Sequence, residues 1–207
     1  MHPLTQAIID GDKARAVELT QQCLDEGEEP NAIVEERLVP GMAVIGEQFQ
    51  CDEIFVPEML IAANAMKASL AILEPLIAAA GIKAPHTVII GTVQGDLHDI
   101  GKNLVGMMWR GANFEVIDLG VNVSPADFAA AAKEHTPDIV GMSALLTTTM
   151  PHMKQAVAAV KASGVDTKIV IGGAPVSQEF ADEVEADGFA LDAGAAVDVA
   201  RALVGAA

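Results

Sequence analysis

Near residue 85 the spacing of apolar residues changes, and the two halves of the 207-residue chain must therefore fold differently. Before that point apolar positions recur every three or four residues. After it, short β-branched or apolar runs alternate with helical ones. The runs Thr87–Val93, Glu115–Leu119, Ile139–Ser143, Lys168–Ile171 and Gly188–Ala190 read as strands. Between them, helices are expected near Lys102–Arg110, Pro125–Glu134, Met150–Ala162 and Ser177–Val184, with a last one near Ala195–Val204. Near-continuous apolar strands separated by helices predict a parallel sheet covered on both faces. Five such units predict the flavodoxin-like strand order 2-1-3-4-5, with ligands at the carboxyl ends of strands one and three.

Residues 1–84 read as helical throughout. The segments Leu4–Ile9, Asp12–Glu26 and a run from Asn31, with a kink or a join between two helices at Pro40, precede a long helix from Pro57 to Ala80. Helices of this length joined by short turns predict an antiparallel four-helix bundle. The predicted domains are thus 1–84 and 85–207, joined at Lys83-Ala84-Pro85. Gly81 to Pro85 is the expected hinge.

Composition narrows the function. A formal charge of −17 argues against nucleic acid or an anionic membrane surface, because phosphate binding needs clustered Lys and Arg. The two cysteines, Cys23 and Cys51, are not spaced as a metal or redox pair, and a reducing cytoplasm fits them. No basic segment followed by an apolar stretch marks the N-terminus, and no apolar run reaches about 18 residues, so no membrane span is expected.

The loop after the first strand carries the chemistry: Gly95-Asp96-Leu97-His98-Asp99-Ile100-Gly101-Lys102-Asn103. A histidine between a strand and a helix can present a ring nitrogen beyond the sheet edge. Asp96 can accept a hydrogen bond from the other nitrogen, which fixes the tautomer and raises ligand basicity. Gly101, without a Cβ, lets a bulky group approach the helix start. The loop is not a P-loop, since Asn103 stands where Ser or Thr is required. His2, His86, His135 and His152 have no partner spacing and read as surface residues. Strand three ends in Ser143-Ala-Leu145-Leu-Thr147-Thr-Thr149, and strand four in Gly172-Gly173, so three strand ends carry ligand-friendly residues.

Asp96-x-His98-x-x-Gly101 resembles the signature of cobalamin-binding domains. The likeness covers nearly the whole chain and is greatest to the small corrinoid proteins of methylamine, methanol and methoxy-arene methyltransferase systems. It also extends to the cobalamin-binding region of methionine synthase. It implies His98 as the lower ligand of cobalt, the metal site, with the cofactor's own base displaced. Gly95, Leu97 and Asp99 would line the cofactor. Ser143, Leu145, Thr147, Gly172, Gly173 and Ala193 match the slot that takes the displaced nucleotide tail. Thr149 falls near a hydroxyl that continues the His–Asp relay in relatives. Phe55, Met59, Ala62 and Met66 would form a soft apolar cap over the methyl group.

The resemblance implies a methyl carrier that uses cobalamin, as methylcobalamin or a related corrinoid. Its partners would be a substrate-specific methyltransferase, a second methyltransferase with a pterin or thiol acceptor, and a reductive activating protein. On its own it would not turn over. The alternatives are the cobalamin subunit of a radical isomerase, a cobalamin-dependent regulator, and a flavodoxin-like signalling module. Isomerase domains lack a helical methyl cap, and a regulator would need a DNA-binding region.

Overall fold

The computed structural model describes residues 1–81 and 84–205. It divides into two compact units, Met1–Pro85 with Arg110–Asn113, and His86–Trp109 with Phe114–Ala207. Ile82 and Lys83, at the expected linker and hinge, lie outside the described residues.

The second unit is a five-stranded parallel sheet, β1 (His86–Thr92), β2 (Phe114–Asp118), β3 (Ile139–Ser143), β4 (Lys168–Gly172) and β5 (Gly188–Ala190). Its order is β2-β1-β3-β4-β5, as the alternation of strands and helices predicts. The helices are α6 (Ile100–Gly111), α7 (Pro125–His135), α8 (Met150–Ala162), α9 (Gln178–Glu183) and α10 (Ala193–Val204). Alternation along each strand sorts residues to opposite faces. The row Ile89, Val140, Ile169 joins Phe128, Met153, Val157 and Val184 in one buried core with α7, α8 and α9. The next row, Ile90, Gly141, Val170 and Gly188, faces the other way. A Cβ on Gly141 would lie 2.7 Å from the Trp109 ring, and one on Gly188 would lie 2.6 Å from Val199. These glycines let α6 and α10 sit close, and the Trp109 indole donates to the Ala196 carbonyl at 2.9 Å.

The first unit begins with α1 (Pro3–Ile9) and α2 (Lys13–Asp25). A third helical run follows as α3 (Pro30–Ile33), a π-helical turn (Val34–Leu38) and α4 (Val39–Gln50), then α5 (Val56–Ala79). The kink or join expected at Pro40 falls at the π turn, which runs directly into α4 with Pro40 in its first turn. Helix α5 is long and apolar enough to cross a membrane by length and composition. Its Met59, Ala62, Ala65, Met66 and Leu73 are buried, and α1, α2 and α4 pack against it, as for a core helix.

Three histidines expected to lack partners have them. His2 accepts the Leu4 N–H at 3.2 Å and caps α1, His86 lies 3.6 Å from the Asp138 carboxylate, and His152 lies 2.7 Å from the Gln94 carbonyl. The His2, Cys23 and Glu28 side chains converge within 4.8 Å, but His2 is engaged as a cap and Glu28 pairs with Arg37 at 3.3 Å. Burial, with the Glu28 charge beside it, pushes the Cys23 thiol up to about 11, whereas Cys51 is exposed. A thiol reagent at pH 8 is therefore expected to modify Cys51 quickly and Cys23 only as fast as the fold opens. Because Cys23 holds its proton more tightly folded than unfolded, its contribution to stability is present below about pH 8.5 and lost as pH rises through about 11. Chemical denaturation of wild type and Cys23→Ala across that range checks it.

Candidate functional site

In this strand order the direction in which successive strands are added reverses between β1 and β3, and the crevice beyond their carboxyl ends is where open α/β sheets bind ligands. The loop 93–99 leaves β1 there. Gly95, at φ +83°, makes the turn, and its N–H donates to the Asn122 side chain at 2.8 Å. The turn drives Asp96 inward until its side chain is fully buried, while the His98 side chain stays 51% exposed.

The Asp96 carboxylate is saturated. Oδ1 accepts the His98 backbone N–H at 3.1 Å and faces His98 Nδ1 at 2.7 Å. Oδ2 accepts the backbone N–H groups of Leu145 at 2.8 Å and Leu146 at 3.2 Å, and the Thr149 hydroxyl at 2.9 Å. Burial alone would raise its pKa, but the bonds donated by Leu145, His98 and Thr149 outweigh it and hold the carboxyl well below the usual carboxylate range. An ionised Asp96 requires Nδ1 to carry a proton in neutral His98. That leaves the Nε2 lone pair free, the state a metal-ligating imidazole needs. The Thr149 hydroxyl proton lies between Asp96 Oδ2 and the Leu146 carbonyl, 2.8 Å away.

The surroundings of His98 are apolar and open. Among the described residues, the large hydrophobic side chains that the second unit leaves exposed are Leu97, Ile100, Val121, Leu145, Leu146 and Leu191. All stand in loops or first helical turns beyond the carboxyl ends of the strands. Such an apolar rim, with one imidazole in its midst, suits a large flat ligand that also takes an axial nitrogen. Gly101 adds to this: a Cβ there would meet nothing within 4 Å, so no neighbour in the protein demands glycine. Gly101→Ala is expected to stabilise the cofactor-free fold by up to about 1 kcal/mol, as alanine does in a helix. It should lower ligand retention at the same time, read by thermal melts with and without ligand.

The other expected residues divide. Leu145 and Thr149 meet at Asp96. Ser143 ends β3 in register with Gly172 and Thr92, and Thr147 and Asp99 are exposed on the same rim. Gly172 and Gly173 have an internal reason to be glycine. A Cβ on Gly173, at φ +125°, would lie 1.9 Å from the Ala144 carbonyl oxygen, and one on Gly172 would lie 2.9 Å from the Ala190 oxygen. Ala193 is buried in the first turn of α10, which Asp192 caps through the Ala195 N–H at 2.8 Å. Phe55 does not share a surface with Met59, Ala62 and Met66. It is exposed at the N-cap of α5, where its N–H donates to Glu58 at 3.1 Å, and the other three are buried. Sequence reasoning missed Ile100, Val121, Leu146 and Leu191, since an apolar residue in a loop looks like core until the loop is placed. It also missed Thr92, Lys102 and His152.

A histidine offered from a buried carboxylate, inside an apolar crevice of a doubly wound sheet, defines a metallocofactor-binding protein. Comparison with known proteins agrees: a B12 binding domain family matches residues 86–204, and a second B12 binding domain family matches residues 1–74. A corrinoid protein of Desulfitobacterium hafniense is 43% identical over 207 residues, covering 98% of this chain and 96% of the relative. Trimethylamine corrinoid protein 2 of Methanosarcina acetivorans is 40% identical over 202 residues, covering 96% of this chain and 93% of the relative. Among solved structures, the methanol:cobalamin methyltransferase complex of Methanosarcina barkeri superposes with a TM-score of 0.87 at 29% identity, covering 99% of this chain and 79% of that one. A cobalamin-binding protein of Desulfitobacterium hafniense gives 0.81 at 31% identity, covering 97% of this chain and 96% of that one. The chain belongs to the B12-binding corrinoid proteins, and its cofactor is cobalamin or a related corrinoid with its cobalt.

Proposed function

We propose that the protein is a methyl carrier that holds its corrinoid with the cofactor's own base displaced and His98 as the lower axial ligand. The observation that carries this is the His98 ring, anchored by Nδ1 to a buried carboxylate with Nε2 left free inside the apolar rim. The corrinoid supplies a cobalt that takes up and gives up a methyl group. Asp96 fixes the tautomer and orientation of the imidazole, and Thr149, Leu145 and Leu146 hold Asp96. The rim keeps water from the lower face. Ser143, Thr147, Gly172, Gly173 and Ala193 take the displaced nucleotide tail. Met59 and Met66 shield the transferred group, a role that requires them to become accessible, and Phe55 stands apart from them.

The names of the relatives support partnership with a methyltransferase, and the carrier role calls for a second. One would load the methyl group from a substrate such as a methylamine or methanol, and the other would pass it to a pterin or thiol. A reductive activator would restore the cobalt after oxidation. Free thiols at Cys23 and Cys51 fit the cytoplasm.

The test is the visible spectrum of protein loaded with methylcobalamin and freed of excess cofactor. Wild type should show a histidine-dependent spectrum, and His98→Ala should retain corrinoid but lose that signature. Identical spectra for the two proteins would overturn the assignment of His98.

A further inference from the structure

His98 is held at its ring by Asp96, and it is held a second time at its main chain. The Thr92 side chain, fully buried at the end of β1, donates its hydroxyl to the His98 carbonyl at 2.9 Å. Thr92 is itself fixed, its N–H donating to the Gly120 carbonyl at 2.9 Å. The Gly120 N–H in turn donates to Asp118 Oδ1 at 2.8 Å. Asp118 receives Lys102 Nζ on both carboxylate oxygens, at 2.6 and 2.5 Å. Lys102 returns the chain of bonds to the first turn of α6, four residues after His98.

Lys102 is hard to explain by stability. Its side chain is 2% exposed, so the ammonium has lost its water. It also sits at the positive end of the α6 macrodipole, where a cation is unfavourable. Asp118 keeps 36% of its side chain exposed, so the pair is buried on the lysine side only. Such a pair is weak evidence for stability, and its best-attested use is to fix one arrangement among several. The arrangement fixed here is the loop between β1 and α6, tied at both ends to the edge of β2.

We propose that Thr92 and the Lys102–Asp118 pair are positioning residues for cobalt ligation: they set the height of the His98 main chain above the sheet, and so the reach of Nε2. This rests on the reading of His98 as the lower ligand. The division of labour follows from the geometry. Asp96 sets the direction and basicity of the ring, whereas the second tether sets where its backbone stands. The pair lies on the sheet side of α6 and leaves the Ile100–Gly101 surface open to the cofactor.

The test uses full-length protein grown with 15N-histidine, loaded with cobalamin and reduced by one electron. Nitrogen splitting in the electron paramagnetic resonance spectrum then reports the fraction of cobalt bound by histidine, since 15N gives doublets and the cofactor's own 14N base gives triplets. Thr92→Val keeps the shape and removes the hydroxyl, and Thr92→Ser restores it. Lys102→Met removes the charge at similar length. Thr92→Val and Lys102→Met should each shift the histidine-on equilibrium by about tenfold or more, the scale of lost second-layer support at a metal, with total corrinoid retained. Thr92→Ser should return to the wild-type fraction. If Thr92→Val keeps the wild-type doublet, the proposal is wrong, and this variant decides even where Lys102→Met does not fold. A wild type with no 15N doublet would overturn the ligand assignment itself, a separate failure.

Discussion

Replacing Asp96 with Asn is expected to lower folding stability by about 3–5 kcal/mol, the cost of removing one member of a buried charged network. The size follows from what Asp96 accepts. Backbone N–H groups of His98, Leu145 and Leu146, the His98 ring and the Thr149 hydroxyl all point at its two oxygens. An Asn side chain offers one oxygen and one NH2 group, and either rotamer aims that NH2 at other donors. Each buried donor so orphaned costs about 1–3 kcal/mol. The pH dependence changes as well. A carboxyl whose folded pKa is depressed stabilises the fold above its unfolded value, about 4, and this contribution is lost as pH falls below it. The variant lacks that acid-sensitive part. Urea titrations of both proteins should therefore draw together by about 1 kcal/mol as pH falls from about 4 to about 3, with most of the difference still present at the acid end. With His98 as the proposed lower ligand, its bond to cobalt in the loaded variant should weaken about 10–100-fold. Parallel stability curves with no convergence would show that Asp96 does not contribute as a buried carboxylate.

Gly173→Ala should have an effect of the same order, by a different route. The added Cβ would lie 1.9 Å from the Ala144 carbonyl oxygen, and the backbone is at φ +125°, where alanine is strained. Strain and overpacking together cost about 3–5 kcal/mol. Ala144 is the residue before Leu145 and Leu146, whose N–H groups hold Asp96. Backbone displaced to relieve the clash therefore pulls on the carboxylate that orients His98. The expected result is a lower melting temperature together with a reduced histidine-on fraction in the loaded protein. Gly101→Ala, in open space, is the control for a glycine without such a neighbour. A Gly173→Ala protein as stable as wild type would mean that the loop after β4 adapts freely.

Much of the fold is legible because two periods are written into the chain. The apolar run Ile139–Ser143 marks β3 to the residue, the short Gly188–Ala190 matches β5 without a branched residue, and five strand–helix units lead to the observed order. The His98–Asp96 pair is legible because two residues of spacing across a turn bring ring and carboxylate together. Other features depend on contacts that no local pattern carries. The π turn at Val34–Leu38 needs one extra residue per turn, which helical spacing does not reveal. The reason for Gly173 lies on Ala144, across from another strand end. Lys102 reads as an ordinary lysine near a helix start until β2 places Asp118 beside it. Leu191 and Val121 look like interior residues, and only topology turns them outward to the rim.

That rim has a colloidal side. Before loading, the chain displays Leu97, Ile100, Leu145, Leu146 and Leu191 beyond the carboxyl ends of its strands, apolar surface that invites adhesion between copies. The formal charge of −17 opposes such encounters at neutral pH, since like-charged molecules repel before short-range adhesion acts. The acidity that argues against a nucleic-acid partner thus also keeps the empty protein dispersed while it waits for its corrinoid. A corrinoid seated on the rim as proposed would cover that surface and make the protection dispensable.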